Sequence, residues 1–395
     1  MKKYYYRSRQ YMLSKIQPLI PWRIPKFISG AGSIYRIPRI IKQDGVKKVL
    51  IITTSGFIKR GSLSELFDEF EKENILYTIF DNVLPDPSIE CIEDAVKVYR
   101  KEACEAIVAI GGGSVMDCAK VVGARIVKPA KSVIQMTGLF KIRKELPPLY
   151  AVPTTAGTGS EVTVAAVITD SSTHYKYAVS DTCLIPKYAI LDPQLTCGLP
   201  QNLTADTGMD ALTHAVEAYI NKFASKESKK YALDAVKLIF NNLTKVYEDG
   251  NNLELRENML MGSYYAGLAF TKAYVGYVHA IAHGLGGLYG VPHGHANAVI
   301  LPVVLQAYGE AIHKELAELA DAVGISGKTQ QEKSRNFISA INQMNQSMGI
   351  QNKLNVVKKE DIPEIIRRAM KEANPAYPVP VIWNEKQLRS VIELL

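Results

Sequence analysis

The feature that most constrains this chain is a change of rhythm near its midpoint. From about Ile24, short β-branched runs alternate with longer stretches whose apolar residues recur every three or four positions. That is the pattern of parallel strands joined by crossover helices. Val49–Thr53, Ala106–Ile110 and Leu149–Val152 read as buried strands, and Ser62–Lys72 and Ser88–Lys101 as amphipathic helices covering a sheet. Beyond Asp192-Pro193 long helical stretches take over, at Asp210–Asn221, Lys226–Val246, Leu253–Ala273 and His313–Val323. The run DPQLTCGLPQNLT between them combines proline, glycine and turn formers and is the expected hinge. The expected layout is a basic, tyrosine-rich arm over 1–23, an α/β parallel-sheet domain over 24–198 and a helical domain over 199–395. The arm is expected to lie loose on the surface, as termini commonly do.

Composition narrows the functional classes. Hydrophobic residues make up 47% and charged residues 22% of 395, enough apolar surface for a sizeable core, which excludes a disordered chain. No run approaches the ~18–20 uncharged apolar residues of a membrane span, and no secretory leader is recognisable, so a soluble, cytoplasmic protein is expected. The five cysteines, Cys91, Cys104, Cys118, Cys183 and Cys197, form no CxxC pair and are expected to be reduced. The formal charge is +8, but Lys2, Lys3, Arg7, Arg9 and Lys15 of the arm carry five of those charges and the rest of the chain only +3. Such a balance calls for no nucleic-acid partner.

Two polar loops follow expected strands. Gly111-Gly112-Gly113-Ser114 lies between AIVAI and the helical pattern VMDCAKVVGARI. A glycine turn feeding a helix start lets backbone N–H groups approach an anionic phosphate, although a triple glycine alone is equally a structural turn. It matches neither GxGxxG nor GxxxxGK[ST]. The second loop is Pro153-Thr154-Thr155-Ala156-Gly157-Thr158-Gly159-Ser160-Glu161-Val162-Thr163. Two polar loops at the carboxyl ends of parallel strands favour a nucleotide site.

Histidine placement is the strongest signal. Five of the seven histidines, His214, His279, His283, His293 and His295, fall between 214 and 295. Asp210 and His214 stand at i and i+4, as do His279 and His283, so each pair shares a helix face. A lone histidine is usually a satisfied polar residue. One carboxylate with three imidazoles can instead hold a divalent metal with a position left open, and the histidines present exceed that need.

These residues resemble the iron-containing, or group III, alcohol dehydrogenases, through GGGSVMDCAK at 111–120, PTTAGTGSEVT at 153–163, TGMDALTHAVEAY at 207–219 and HAIAHGLGGLYGVPHGHAN at 279–297. The resemblance covers nearly the whole chain from Ile24. It implies a dehydroquinate-synthase-like fold, with an α/β dinucleotide-binding domain, an all-α metal-binding domain, and a metal and nicotinamide meeting between them. The implied metal ligands are Asp210, His214, His279 and His293, with His283 as a catalytic, non-ligand histidine near the cofactor. Gly112, Gly113 and Ser114 are implied to hold the pyrophosphate. Asp117, Thr154, Thr155 and Thr158 are implied on the nicotinamide side, and Lys176 in HYKYAVS as a further cofactor contact.

The implied reaction is hydride transfer between NAD or NADP and a short-chain alcohol or aldehyde, with Fe²⁺ the expected metal and Zn²⁺ acceptable to the same ligands. A polyol dehydrogenase of the glycerol type is the alternative. Maleylacetate reductases and dehydroquinate-synthase-like cyclases fit HAIAH with PHG less well, and a non-catalytic metal- or nucleic-acid-binding protein is the different-class alternative. A homodimer with no membrane partner is implied as well. One departure is visible: many NAD-using members carry an aspartate just after the first strand, where this chain has Thr53-Thr54-Ser55-Gly56. A carboxylate there would repel a 2′-phosphate. With Thr54 in its place, NADP is expected to be tolerated.

Overall fold

The computed structural model describes residues 2–17, 20, 22–172 and 175–395. Met1, Pro18, Leu19 and Pro21 of the arm, and His174 beside Lys176, lie outside them. The chain divides into two compact units, Trp22–Cys197 and a second that combines Met1–Pro21 with Gly198–Leu395.

The basic arm forms helix α1 (Lys2–Ile16), which belongs to the second unit. Its loose placement was expected from termini in general; the physical reason it differs is that Gln10 is buried against residues near the carboxyl end.

The first unit is built on strands β1 (Lys26–Ser29), β2 (Lys48–Ile52), β3 (Leu76–Phe80), β4 (Ala106–Gly111), β5 (Gly138–Leu139), β6 (Leu149–Pro153), β7 (Ala165–Asp170), β8 (Tyr175–Ser180) and β9 (Tyr188–Leu191). Six of them form a parallel sheet in the order β1-β9-β6-β4-β2-β3. Its helices are α2 (Ile37–Gln43), α3 (Ser55–Lys59), α4 (Ser64–Lys72), α5 (Ile89–Lys101) and α6 (Gly113–Val127). Successive strand residues point to opposite faces, and both faces are covered. Leu50, Ile52, Ile107 and Ala109 enter one apolar core, while Val49, Ile51, Val108 and Ile110 enter the other. Ser88 caps α5 by accepting the Cys91 N–H at 3.2 Å, which explains why the helical pattern starts there. A second, smaller sheet of β5, β8 and β7, with β7 and β8 antiparallel, was not foreseen: Ala166, Ile168 and Val179 enter the core, but their apolar neighbours Ala165, Val167 and Ala178 leave no clean apolar alternation in the sequence.

The second unit is helical: α7 (Gln201–Ile220), α8 (Lys226–Glu248), α9 (Leu253–Ala273), α10 (Tyr277–Tyr289), α11 (His293–Tyr308), α12 (His313–Ala322), α13 (Gln330–Ser347), α14 (Ile362–Ala373) and α15 (Glu385–Ile392). Helix α7 packs against α8, α9 and α11, and every residue from Gly208 to Ile220 is buried. A helix buried all round cannot hide a carboxylate without partners. It nevertheless carries Asp210 and Glu217, and those partners define the site. Among the described residues no helix is long and apolar enough to cross a membrane, and the five cysteines form no disulfide.

Candidate metal centre and nucleotide loops

Asp210 and His214 project from α7, His279 and His283 from α10, and His293 from the first residue of α11. Ligand atoms of Asp210, His279 and His293 lie within 4.8 Å of one another. Asp210 Oδ1 is 3.7 Å from His279 Nε2 and 3.4 Å from His293 Nε2. The His214 ring stands beside this group, with Nδ1 3.9 Å from Asp210 Oδ1, stacked between Phe270 and His279 at centroid distances of 4.2 and 4.3 Å.

The donor between the three converging acceptors is Asn297 Nδ2, at 2.7 Å from Asp210 Oδ1, 3.1 Å from His293 Nε2 and 3.3 Å from His279 Nε2. One amide has two N–H groups for three acceptors. Convergent, buried carboxylate and imidazole acceptors in excess of the available protons fit a divalent cation, and the mixed oxygen and nitrogen set suits iron or zinc.

Electrostatics point the same way. Burial alone would raise the Asp210 pKa, but the imidazoles of His214, His293 and His279 outweigh it and hold the carboxyl well below the usual carboxylate range. His279 is pushed up to about 9, burial being outweighed by its bonds to Asp210 and Glu217. His293 is held well below the ordinary imidazole value by burial, against the pull of Asp210 and aided by the neighbouring imidazoles. Asp210 is therefore ionised and His293 neutral, as ligation requires, while His279 would give up a proton when a metal binds.

Three residues of this site were not singled out in the sequence: Glu217, Asn297 and Glu372. Glu217 accepts from His279 Nδ1 at 2.7 Å and from the backbone N–H groups of Gly276 and Val278, each at 2.8 Å. A carboxylate can only accept, so Nδ1 carries the proton and Nε2 faces Asp210. Gly276 is required here, because a Cβ would come within 2.6 Å of Glu217 Oε1. The available signal was the spacing of Glu217, seven residues after Asp210 and so on the same helix face. His283 Nδ1 lies 2.7 Å from Glu372 Oε1 on α14, and the His283 and His293 rings stack at 4.9 Å. His295 turns to Asp206 Oδ1 at 3.2 Å instead of joining the cluster.

In the first unit, Gly112 precedes α6 and Gly113 opens it, at the carboxyl end of β4, and the loop after β6 packs directly against them. A Cβ on Gly113 would come within 2.7 Å of Thr158 Cγ2, and one on Gly112 within 3.2 Å of Thr155 Oγ1, so the two loops meet only because these residues are glycine. Ser114 Oγ accepts the Asp86 N–H at 3.2 Å, and Asp86 Oδ1 takes Lys176 Nζ at 2.7 Å, which brings Ser114 and Lys176 to one spot. Thr154 is buried and donates its backbone N–H to the Gly111 carbonyl, and Thr54 lies just beyond β2, bridged to Asn82.

Asp117 accepts from Ser160 Oγ at 2.7 Å and from Val167 N–H at 2.8 Å. Beside it, fully buried Lys120 donates to Ser160 Oγ, Thr163 Oγ1 and the carbonyls of Thr163 and Ala165 at 2.8 to 3.1 Å. This network ties the second loop to α6. Burial brings the Lys120 pKa down to about 8 despite Asp117 and Glu161.

The family model for iron-containing alcohol dehydrogenase matches residues 25–193, and that for the C-terminal part of the Fe-containing alcohol dehydrogenase family matches residues 204–394. The 1,3-propanediol dehydrogenase of Klebsiella pneumoniae is 40% identical over 353 residues, covering 88% of this chain and 91% of its own. The lactaldehyde reductase of Escherichia coli K12 is 31% identical, covering 92% and 95%. Among solved structures, a 1,3-propanediol oxidoreductase superposes with a TM-score of 0.90 at 37% identity, covering 94% of this chain and 98% of its own. The sulfoacetaldehyde reductase of Bifidobacterium kashiwanohense, solved in complex with NAD+, gives a TM-score of 0.84 at 29% identity, covering 95% and 98%.

Proposed function

The chain belongs to the iron-containing alcohol dehydrogenase family and is an oxidoreductase of alcohols and aldehydes, and from that premise we propose that it interconverts a short-chain alcohol and its aldehyde using NAD or NADP. The observation that carries this reading is the convergence of Asp210, His279 and His293 around one donor position, with His214 alongside. These four residues would hold the metal, Fe²⁺ by family and Zn²⁺ as an acceptable substitute. The chemistry the bound groups supply is Lewis-acid polarisation of the reacting oxygen and a nicotinamide to carry the hydride.

The chain's own residues do the rest. Glu217 fixes the His279 tautomer, and Asn297 holds Asp210 in register. Glu372 fixes the proton of His283 on Nδ1, so His283 Nε2 is the atom that takes a proton from the alcohol or returns one to the aldehyde. Gly112, Gly113 and Ser114 take the pyrophosphate on backbone and hydroxyl donors. Thr54, Asp117, Thr154, Thr155, Thr158 and Lys176 complete the cofactor site, Asp117 by anchoring Ser160 and Val167.

The 1,3-propanediol relative supports a small diol as the second reading, close to the polyol class. We also propose a cytoplasmic location and a homodimer; the family resemblance supports the dimer, and sedimentation of the purified protein tests it.

Asp210→Ala is the direct test: activity and metal content fall together. A purified variant that turns over at the parent rate without metal would sink the assignment. His283→Ala slows turnover while metal stays bound, and loss of metal would make it a ligand instead.

A further inference from the structure

Helix α1 precedes the residues matched by the family models, which begin at 25. It is bound to the segment Asn374–Pro380, a proline-rich stretch that is neither helix nor strand and whose carbonyls therefore need donors from elsewhere. Gln10, 3% exposed, supplies two of them: its Nε2 donates to the carbonyls of Tyr377 at 2.7 Å and Pro375 at 3.1 Å. Arg7 orients that amide by donating Nη1 to Gln10 Oε1 at 2.9 Å, and donates Nη2 to the Pro380 carbonyl at 2.9 Å. The Gln10 amide thus has both its donor and its acceptor atoms engaged.

The clamped segment reaches the site. Tyr377 donates its hydroxyl to Glu372 Oε1 at 2.8 Å, the same oxygen that lies 2.7 Å from His283 Nδ1. Glu372 sits one residue from the end of α14, and its carboxylate is held by Tyr377 on one side and His283 on the other.

We infer that α1 is a strap that positions His283: Arg7 and Gln10 fix residues 374–380, Tyr377 of that segment fixes Glu372, and Glu372 fixes the imidazole. This inference rests on the reading of His283 as the residue that moves the proton. Arg7, Gln10 and Tyr377 are positioning residues that need touch neither substrate nor cofactor.

The experiment uses the full-length, metal-loaded chain as Gln10→Ala, Arg7→Ala, Tyr377→Phe, the double variant Gln10→Ala/Tyr377→Phe, and His283→Ala. Removing a buried, charge-supported hydrogen-bond set is expected to speed amide exchange across 374–380 about tenfold in Gln10→Ala and Arg7→Ala, with the amides of α10 unchanged. The same variants lower kcat by about tenfold with the cofactor KM and metal content unchanged, and the double variant is no slower than the slower single one, since both changes act through Glu372. Arg7→Lys, which keeps a cationic donor, recovers part of kcat.

Unchanged exchange across 374–380 would overturn the strap. So would faster exchange with an unchanged kcat, or losses that multiply in the double variant. If His283→Ala itself retains full kcat, the proton-transfer reading fails and takes this inference with it. Slow His283→Ala beside fast Gln10→Ala removes the strap alone.

Discussion

Glu217 Oε2 lies 2.7 Å from His279 Nδ1 although 62 residues separate them in the chain. That contact ties α7 to α10, two of the three helices that carry the candidate ligands, and decides which nitrogen of His279 is available to a metal. Its cost is a carboxylate on a helix with no solvent-facing side around it, offset by three donors to that one carboxylate.

Glu217→Gln keeps the volume but turns an acceptor edge into a donor against one of three N–H groups. We expect metal affinity to fall by about 10- to 100-fold, read by chelator competition on the folded protein. An unchanged competition midpoint would show that His279 needs no orienting partner.

Cofactor choice turns on Thr54. Placing a carboxylate there, in Thr54→Asp, is expected to lower kcat/KM for NADPH by about tenfold or more while NADH is retained, because it repels the 2′-phosphate and accepts from the ribose hydroxyl. A parent enzyme that already rejects NADPH, or a variant with an unaltered cofactor ratio, contradicts the expectation.

Glu161 gives a pH signature of stability. Burial raises its pKa from 4.5 to about 7, with its own backbone N–H and Lys120 pulling the other way, and its Oε1 has no hydrogen-bond partner among the described residues. A carboxyl raised on folding favours the folded state below its unfolded pKa and loses that advantage as pH rises through the folded value. The window is therefore pH 4.5 to 7, and the loss across it is on the order of 3 kcal/mol. Thermal melts of Glu161→Gln beside the parent at both ends of the window check this: the variant should be the more stable, relative to the parent, at the higher pH. Parallel pH dependence in the two proteins rules it out.

Legibility in the sequence followed the range of the interaction. The parallel sheet was readable because strands buried on both faces, such as Ala106–Gly111, are continuous apolar runs. The histidine pairs were readable because i and i+4 share a helix face whatever the rest of the chain does. Glu217 stood on that same face, yet its partner His279 comes from another helix and no local spacing announces it. The His283 and Glu372 pair, 89 residues apart, is further still from any periodic signal. The arm was misjudged for a related reason: its charges and tyrosines read as surface, while the residues that dock it at 374–380, Arg7 and Gln10, are polar and carry no hydrophobic mark. The β7 and β8 pair escaped because apolar Ala165, Val167 and Ala178 stand beside the buried Ala166, Ile168 and Val179, so the residue types do not show the alternation that burial follows.

Anaerobic turnover of propanal, butanal, lactaldehyde and dihydroxyacetone, with NADH and with NADPH, on protein stripped of metal and reloaded separately with Fe²⁺ and Zn²⁺, tests the proposed activity most directly. Turnover of the simple aldehydes is expected only in the reloaded forms, with NADPH accepted beside NADH. Equal turnover in the stripped protein, or silence on every aldehyde while metal and cofactor are bound, would contradict it.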